Sequence, residues 1–388
     1  MPNGKSTKTV ERIALGDTVP GVARTLRVLR YGRPGARPKA YLQGAIHASE
    51  MTGTLALLEL SDLLDAADAR GDILGEVVLV PMCNPIGYGQ FLFGEQAGRF
   101  ELLGRDNFNR GLFDVSAAVG DRVAGRLGND AGSNVAAIRA AALDVLREIP
   151  PVNELTVWRK ALLSRAIDAD IAFDIHSDLD AAVFMYVNGT DWPAATDVAA
   201  TLGCAATILN EPYTTSGNFS GVVGSLWPRL AERFGPSIPV PMANLGVLLE
   251  LRGRFAVSKD DARRDAARFF ELLQRRGLVA GDPGPLPPLA APATPVSGMD
   301  VGYAPFAGPA VYHVRPGTRV AEGTPICDVI NPLAETAAER TVTLRARTGG
   351  VLYARPNDGM VVYPGHVMFR IAGAHPLPHR AGRSWLDD

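Results

Sequence analysis

The chain has 388 residues, long enough for a large domain with its own core and a smaller second one. Apolar residues make up 47% and charged residues 21%, values of a folded globular protein, and a formal net charge of -2 argues against nucleic acid as a partner. The opening MPNGKSTKTVERIALGD lacks an apolar signal core and no later apolar stretch is long enough to span a bilayer, so the reading is a cytoplasmic protein with no membrane association.

Four short runs are nearly continuous in apolar residues and bounded by Gly, Pro, Asn or Asp: AYLQGAI from Ala40, EVVLVPM from Glu76, DIAFDIH from Asp170 and NLGVLLEL from Asn244. Such runs predict strands covered on both faces, and the amphipathic or Ala/Leu-rich stretches between them predict helices, giving an α/β domain around a largely parallel sheet.

The first run leads into QGAIHASEMTG, with His47 and Glu50 three residues apart at a predicted strand-to-helix junction. At the C-terminal edge of an open α/β sheet such a pair can face one ligand, or it can be the polar opening of a helix. The helix itself follows, with Met51, Leu55 and Leu58 on one apolar stripe, Leu57, Leu60 and Leu64 on another, and Gly71 as its stop.

After NPIGYG comes GRDNFNRG, a loop-like stretch carrying Arg105, Asn109 and Arg110. An asparagine beside an arginine suits a substrate carboxylate, because guanidinium offers a planar two-donor fork. DIAFDIH ends on His176, again at a strand's C-terminal edge, with Asp174 and Asp178 near enough to orient an imidazole. Two imidazoles and one carboxylate leave a fourth tetrahedral position open, as in a catalytic zinc site. NEPYTTSGNFSG, Asn210 to Gly221, reads equally as a lid or as an ordinary surface loop.

Glu250 closes the fourth apolar run, where a carboxylate is costly without a partner or a task, and a raised pKa would suit it to general base work. Arg252 and Arg254 follow it and either meet an acidic group of the substrate or pair with Glu250. A last helix is framed by Ser258 with Asp261, a capping box, and by Gly277.

Residues 281–300 carry six prolines and predict a linker between a catalytic domain, 1–280, and a C-terminal domain, 301–373, followed by a tail, 374–388. The C-terminal part has short β-like runs and an internal repeat: GTRVAEGTPICDVI from Gly317 aligns without gaps on GMVVYPGHVMFRIA from Gly359. Two copies predict a pseudo-two-fold β-sandwich resembling biotinyl/lipoyl carriers. The last lysine of the chain is Lys259, so no residue is available for carrier modification. Cys83, Cys204 and Cys327 show no C-x-x-C spacing and are expected to be buried, inert thiols.

His47-x-x-Glu50, Asn109-Arg110, His176 at a strand end and Glu250 in LLELR, in that order, resemble the zinc carboxypeptidase superfamily. More closely the chain resembles its succinylglutamate desuccinylase/aspartoacylase branch, from about Gly44 to Ala372. That resemblance implies a mixed sheet flanked by helices, plus a small all-β barrel-sandwich domain at the C-terminus. It also implies one Zn2+ per chain on His47, Glu50 and His176, with Glu250 as general base, Asn109 and Arg110 gripping a substrate carboxylate, and Arg105 polarising the scissile carbonyl. The branch usually places an aspartate two residues before its Asn-Arg pair, where this chain has Asn107.

The expected activity is hydrolysis of the amide bond of a small N-acyl amino acid. A metallocarboxypeptidase acting on short peptides and a non-catalytic carboxylate-binding protein are the alternatives. Homo-oligomerisation is left open.

Overall fold

The structure, a computed structural model, describes residues 6–16, 21–210 and 217–380. Its centre is a nine-stranded mixed sheet. From edge to edge the strands are Thr9–Ala14, Thr25–Tyr31, Glu76–Val80, Lys39–Gly44, Ile171–Asp178, Leu245–Gly253, Val183–Asn188, Ala206–Asn210 and Thr294–Pro295. The four apolar runs supply four adjacent parallel strands in the middle, and the flanking strands run the other way where Thr25–Tyr31 and Val183–Asn188 join.

Helices cover both faces, which is why these strands read as continuous apolar runs. On one side Leu42, Phe173 and Val247 pack with Leu57, Leu60 and Leu64 of helix Thr52–Arg70 and with Phe269 of helix Lys259–Arg275. On the other, Tyr41 and Ala172 pack with Ile138 of helix Ala131–Glu148, Trp158 of helix Glu154–Ala166 and Phe219 of helix Phe219–Phe234. Only one of the two predicted stripes of the first helix is buried, and Leu58 stays exposed. That helix ends at Gly71 in the left-handed region, and Ser258 Oγ caps the later helix by accepting from the Asp261 N–H at 3.1 Å.

The proline-rich stretch departs from the expected linker 281–300. Thr294–Pro295 pairs in parallel with Ile208 and Leu209 as the sheet's last strand, and Met299 already opens the next strand, Met299–Tyr303. Proline is tolerated there because an edge strand can forgo its outer hydrogen bond.

The C-terminal part comprises two small antiparallel sheets. One joins Met299–Tyr303, Val367–Gly373, Gly350–Arg355 and Arg319–Val320, and the other joins Thr341–Arg345, Pro325–Ile330, Gly308–Tyr312 and Val361–Val362. They share a core that includes Ile326, Val329, Leu352, Met368 and Phe369. The repeat is structural. Gly317 N–H donates to Leu352 O and its counterpart Gly359 to Ala310 O, while Gly323 donates to Ala346 O and its counterpart Gly365 to Ala304 O. All four glycines have positive φ.

This part is docked on the central sheet. Val296, Met299, Tyr353 and Ala372 form one buried cluster with Phe184, Tyr186 and Leu248, and Asp180–Ala181 adds a short strand to Gly350–Arg355. Among the described residues no helix is long and apolar enough to cross a membrane, and the three cysteines are buried and free.

Gly308 and its repeat counterpart Gly350 press against the carbonyl oxygens of Ile330 and Ala372, with no room for a Cβ. Gly308→Ala and Gly350→Ala are each expected to lower stability by about 1 to 3 kcal/mol. Denaturant titration checks this, and a midpoint equal to wild type for either variant would contradict the close packing.

Candidate active site

The site forms where the central strands end. Ala45, at φ 61, turns the chain out of strand Lys39–Gly44. A Cβ on Gly53 would collide with Ile175, so this glycine lets the helix start press onto the neighbouring strand and brings Glu50 over His176. On strand Ile171–Asp178 the two-residue period puts Asp174, His176 and Asp178 on one face. Glu250 lies beside His176 in the next strand, in register with it.

Glu50 stands between the two imidazoles, with Oε1 3.0 Å from His47 Nδ1 and Oε2 2.9 Å from His176 Nδ1. Ser177 N–H also donates to Oε2 at 3.2 Å. The outer nitrogens are fixed by other partners. His47 Nε2 lies 2.9 Å from Asn107 Oδ1, an oxygen that already accepts from the Asn109 N–H at 2.9 Å. His176 Nε2 lies 2.8 Å from Asp174 Oδ2. Asp174 is held in turn by Gln43 Nε2 at 2.8 Å and Asn109 Nδ2 at 2.9 Å, and Tyr41 O–H donates to Gln43 at 2.7 Å.

Asn107 Oδ1 and Asp174 Oδ2 are acceptors, so in the neutral form that a metal requires each imidazole would carry its proton on Nε2 and turn Nδ1 toward Glu50. One ligand atom from each of His47, Glu50 and His176 lies within 4.8 Å of the others, all three residues being buried. With both Nδ1 protons released, two nitrogen lone pairs and a carboxylate would lie close enough to hold one cation. This donor set fits a divalent metal such as zinc with a coordination position left for water or substrate.

The same crowding shapes the titration of the residues around it. Burial pushes Glu50 upward, but His47 and His176 outweigh it and hold the carboxyl well below its ordinary range. Burial pushes His176 downward, but Asp174 and Glu50 outweigh that and raise it well above the ordinary imidazole value. His47 is lowered, chiefly by burial. Glu250 is pushed up to about 8 by burial, with Glu50 and Asp178 adding to the effect. Its Oε2 is buried without a hydrogen-bond partner among the described residues.

A cavity of about 130 Å³ gathers these groups, lined by His47, Glu50, His176, Glu250, Asn109 and Arg110 among others. Arg110 is thus brought to the site with the candidate metal triad and Glu250. Asn109 is there too, but its amide faces inward, donating to Asp174 and accepting from the Phe219 N–H at 2.8 Å. It orients the site rather than offering its amide to a substrate.

Three arginines fall elsewhere. Arg105 is exposed at the tip of a hairpin-like loop in which Phe100 bridges Asn107, and the fold of that loop brings Arg99 to the cavity instead. Arg99 Nη1 lies 3.3 Å from Glu50 Oε1. Gly98, which leaves no room for a Cβ against Ala48, anchors the loop there. Arg252, at φ 57 in an irregular part of its strand, pairs with Asp265 on the far side of the sheet. Arg254 stacks over Phe255, 4.7 Å from the ring centroid, and does not line the cavity. Asp178, expected beside an imidazole, pairs instead with Arg370 of the C-terminal part at 3.2 Å.

Arg99 and Arg370 were missed from the sequence. An arginine just before a loop that folds back on Asn107 was the available signal for the first; nothing local marks the second. Half of Asn210 to Gly221, read as a lid or a surface loop, lies at residues 211–216, outside the described residues.

No family model matches the sequence, and neither does any curated protein. Solved structures do match. A protein from Shewanella amazonensis assigned to the succinylglutamate desuccinylase/aspartoacylase family shares 22% identity with a TM-score of 0.80, over 94% of this chain and 98% of that one. A protein from Shewanella frigidimarina assigned as a succinylglutamate desuccinylase/aspartoacylase shares 21% identity with a TM-score of 0.81, over 96% of this chain and 99% of its own. The product-bound ectoine utilization protein EutE (DoeB) from Ruegeria pomeroyi shares 19% identity with a TM-score of 0.64, over 96% and 98%. At such identities the likeness establishes the fold. The chain has the fold of succinylglutamate desuccinylase/aspartoacylase proteins, the branch that its ordered motifs resemble.

Metal content tests the triad directly. His176→Ala is expected to lose stoichiometric zinc in elemental analysis, and Asp174→Asn to weaken zinc binding by about 10- to 100-fold through loss of the imidazole's orientation. Full zinc occupancy in His176→Ala would remove that residue from the ligand set.

Proposed function

We propose that this chain is a zinc-dependent amidohydrolase that removes the acyl group from a small N-acyl amino acid or a related carboxylate-bearing amide. One observation carries the reading: the His47, Glu50 and His176 triad shares a small cavity with the buried Glu250, whose Oε2 has no partner among the described residues, and with Arg110. A zinc ion held by the triad would supply Lewis acidity, making a water nucleophilic at neutral pH and polarising the substrate carbonyl.

The remaining roles fall to the chain's own side chains. A carboxyl raised to about 8 by burial is suited to take the proton of the attacking water and to pass it to the leaving amine nitrogen as the amide C–N bond breaks. Arg110, lining the inner cavity, holds the carboxylate of the amino-acid part and so aligns the amide, with its Nη1 anchored on Asn109 O at 2.7 Å. Arg99 takes the part assigned from the sequence to Arg105. It is 54% exposed, stands beside Glu50, and can meet negative charge that develops on the carbonyl oxygen. Asn107, where relatives of this kind usually have aspartate, orients His47 with a neutral amide oxygen.

The C-terminal part is read as a barrel-sandwich of carrier type that serves as a wall of the site. Its pseudo-two-fold pairing supports this, as does the absence of any lysine after Lys259. A wall so close to the triad favours small substrates over long peptides.

Glu250→Gln is expected to retain zinc and to lose about 10²- to 10⁴-fold in kcat on N-acyl amino acids. Turnover at the wild-type rate would end its role as base. Arg99→Ala is expected to lose about 10²- to 10³-fold in kcat/KM, while Arg105→Ala stays at the wild-type level. The opposite ranking would return the carbonyl role to Arg105.

A further inference from the structure

One stretch of the surface is far more apolar than the activity requires. Between Tyr88 and Leu103 seven large apolar side chains face solvent: Phe93 is 97% and Leu103 85% exposed, and Tyr88, Phe91, Leu92, Phe100 and Leu102 are between 48% and 65% exposed. Phe91–Leu92 and Glu95–Gln96 form a two-stranded hairpin whose turn is Phe93 and Gly94, both at positive φ. Alternate strand residues point to opposite faces, and Phe91 and Leu92 are both exposed, so neither face of the hairpin is covered. A lone two-stranded hairpin is marginal in water, and this one carries apolar groups on both faces and at its tip. Gln90 ties it to the loop that follows, donating to Phe100 O at 2.7 Å and accepting from the Leu102 N–H at 3.1 Å, so the two segments present one continuous face.

With about 200 Å² for a whole side chain of this kind, the seven leave roughly 800 to 900 Å² in solvent. The largest apolar patch of a typical monomer is about 300 to 600 Å², whereas a standard dimer interface takes about 800 Å² from each partner. Beside the hairpin lies a cavity of about 190 Å³, walled by Ile86, Leu103 and Leu155 and bordered by Glu101 and Asp106. An apolar cavity of about 150 Å³ already admits a benzene ring. The same face therefore holds a projecting ring, Phe93, and a hollow large enough to receive one. An anionic bilayer would be repelled by Glu95, Glu101 and Asp106. The rim also carries exposed Arg105, so two copies offer one another both signs of charge.

We propose that two copies of this chain associate through this face about a two-fold axis, each setting Phe93 in the other's cavity. The Gln90 contacts put hairpin and hollow side by side, so one axis between them serves both insertions. Arg99 and Asn107 belong to the loop that carries Leu102 and Leu103, and they reach Glu50 and His47. Association therefore fixes the loop that places Arg99 at the candidate active site, a consequence that rests on the deacylase reading above.

Sedimentation equilibrium of the full chain over a concentration series reads the interface directly. Wild type is expected to sediment at twice the chain mass, and Phe93→Asp and Leu103→Asp each to weaken association at least about 100-fold. Aspartate enters the left-handed region of position 93 more readily than phenylalanine does, so the hairpin keeps its turn. An equimolar mixture of the two variants should associate more tightly than either alone, because the mixed dimer keeps one intact pair of ring and hollow. A monomeric wild type, a dimer that persists in both variants, or a mixture no tighter than its components overturns the proposal. Monomeric wild type that pellets with phosphatidylcholine vesicles overturns it in favour of a membrane surface. Thermal unfolding midpoints confirm that each variant is folded, and if one is not, the mass of the other decides.

In turnover, the monomeric variants are expected to lose at least about tenfold in kcat/KM on the N-acyl amino acid that wild type hydrolyses, and wild type to lose as much on dilution to its monomer. Full activity in a monomer would show that Arg99 is placed without a partner and overturn the coupling. Should no N-acyl amino acid be hydrolysed, the deacylase reading fails and the masses still decide the interface.

Discussion

A carboxylate buried between two imidazoles, as Glu50 is, has to be balanced by positive charge or donated protons. Every other feature of the site answers that constraint. Burial would favour discharging Glu50, yet the contacts from both histidines keep it ionised. The rings are oriented by Asn107 and Asp174, which meet their outer nitrogens. Asp174 is in turn held by Gln43 and Asn109, so the orientation of the ligands is secured well below the cavity floor.

A single strand links the chemistry to the domain arrangement. Along Ile171–Asp178, alternate residues on one face have successive contacts: Asp174 meets the His176 ring, His176 lies in the candidate metal triad, and Asp178 grips Arg370 from the C-terminal part. The apolar cluster joining Phe184, Tyr186 and Leu248 to Met299 and Tyr353 then keeps that part seated beside Glu250. Desolvation of Glu250 is a product of this packing, because a carboxylate at an open strand end would retain its water.

Repetition and divergence can be told apart within the C-terminal part. Glycines at equivalent turns, with equivalent backbone hydrogen bonds, build the two halves of the sandwich. Arg370, which lines the cavity, stands where the first copy has Asp328. One half thus reaches the cavity while both build the fold.

The sequence alone determined what local pattern can carry. The central strands were legible because burial on both faces leaves long apolar runs, and His47, Glu50, His176 and Glu250 because each ends or directly follows such a run. Side chains placed by irregular backbone were not legible. Strand periodicity would put Arg252 on the face of Glu250, but the register shift after Glu250 and a positive φ turn it to Asp265 on the other side. The family resemblance pointed to Arg105, whereas the bridge between Phe100 and Asn107 sends it to a loop tip and folds Arg99 inward. Arg370 reaches the site only through the docking of a separate β-domain, a contact distant in sequence that no local period encodes. Motifs set by one element can be read from that element, but residues whose direction depends on a bulge, a hairpin or a domain interface are decided only when the chain is packed.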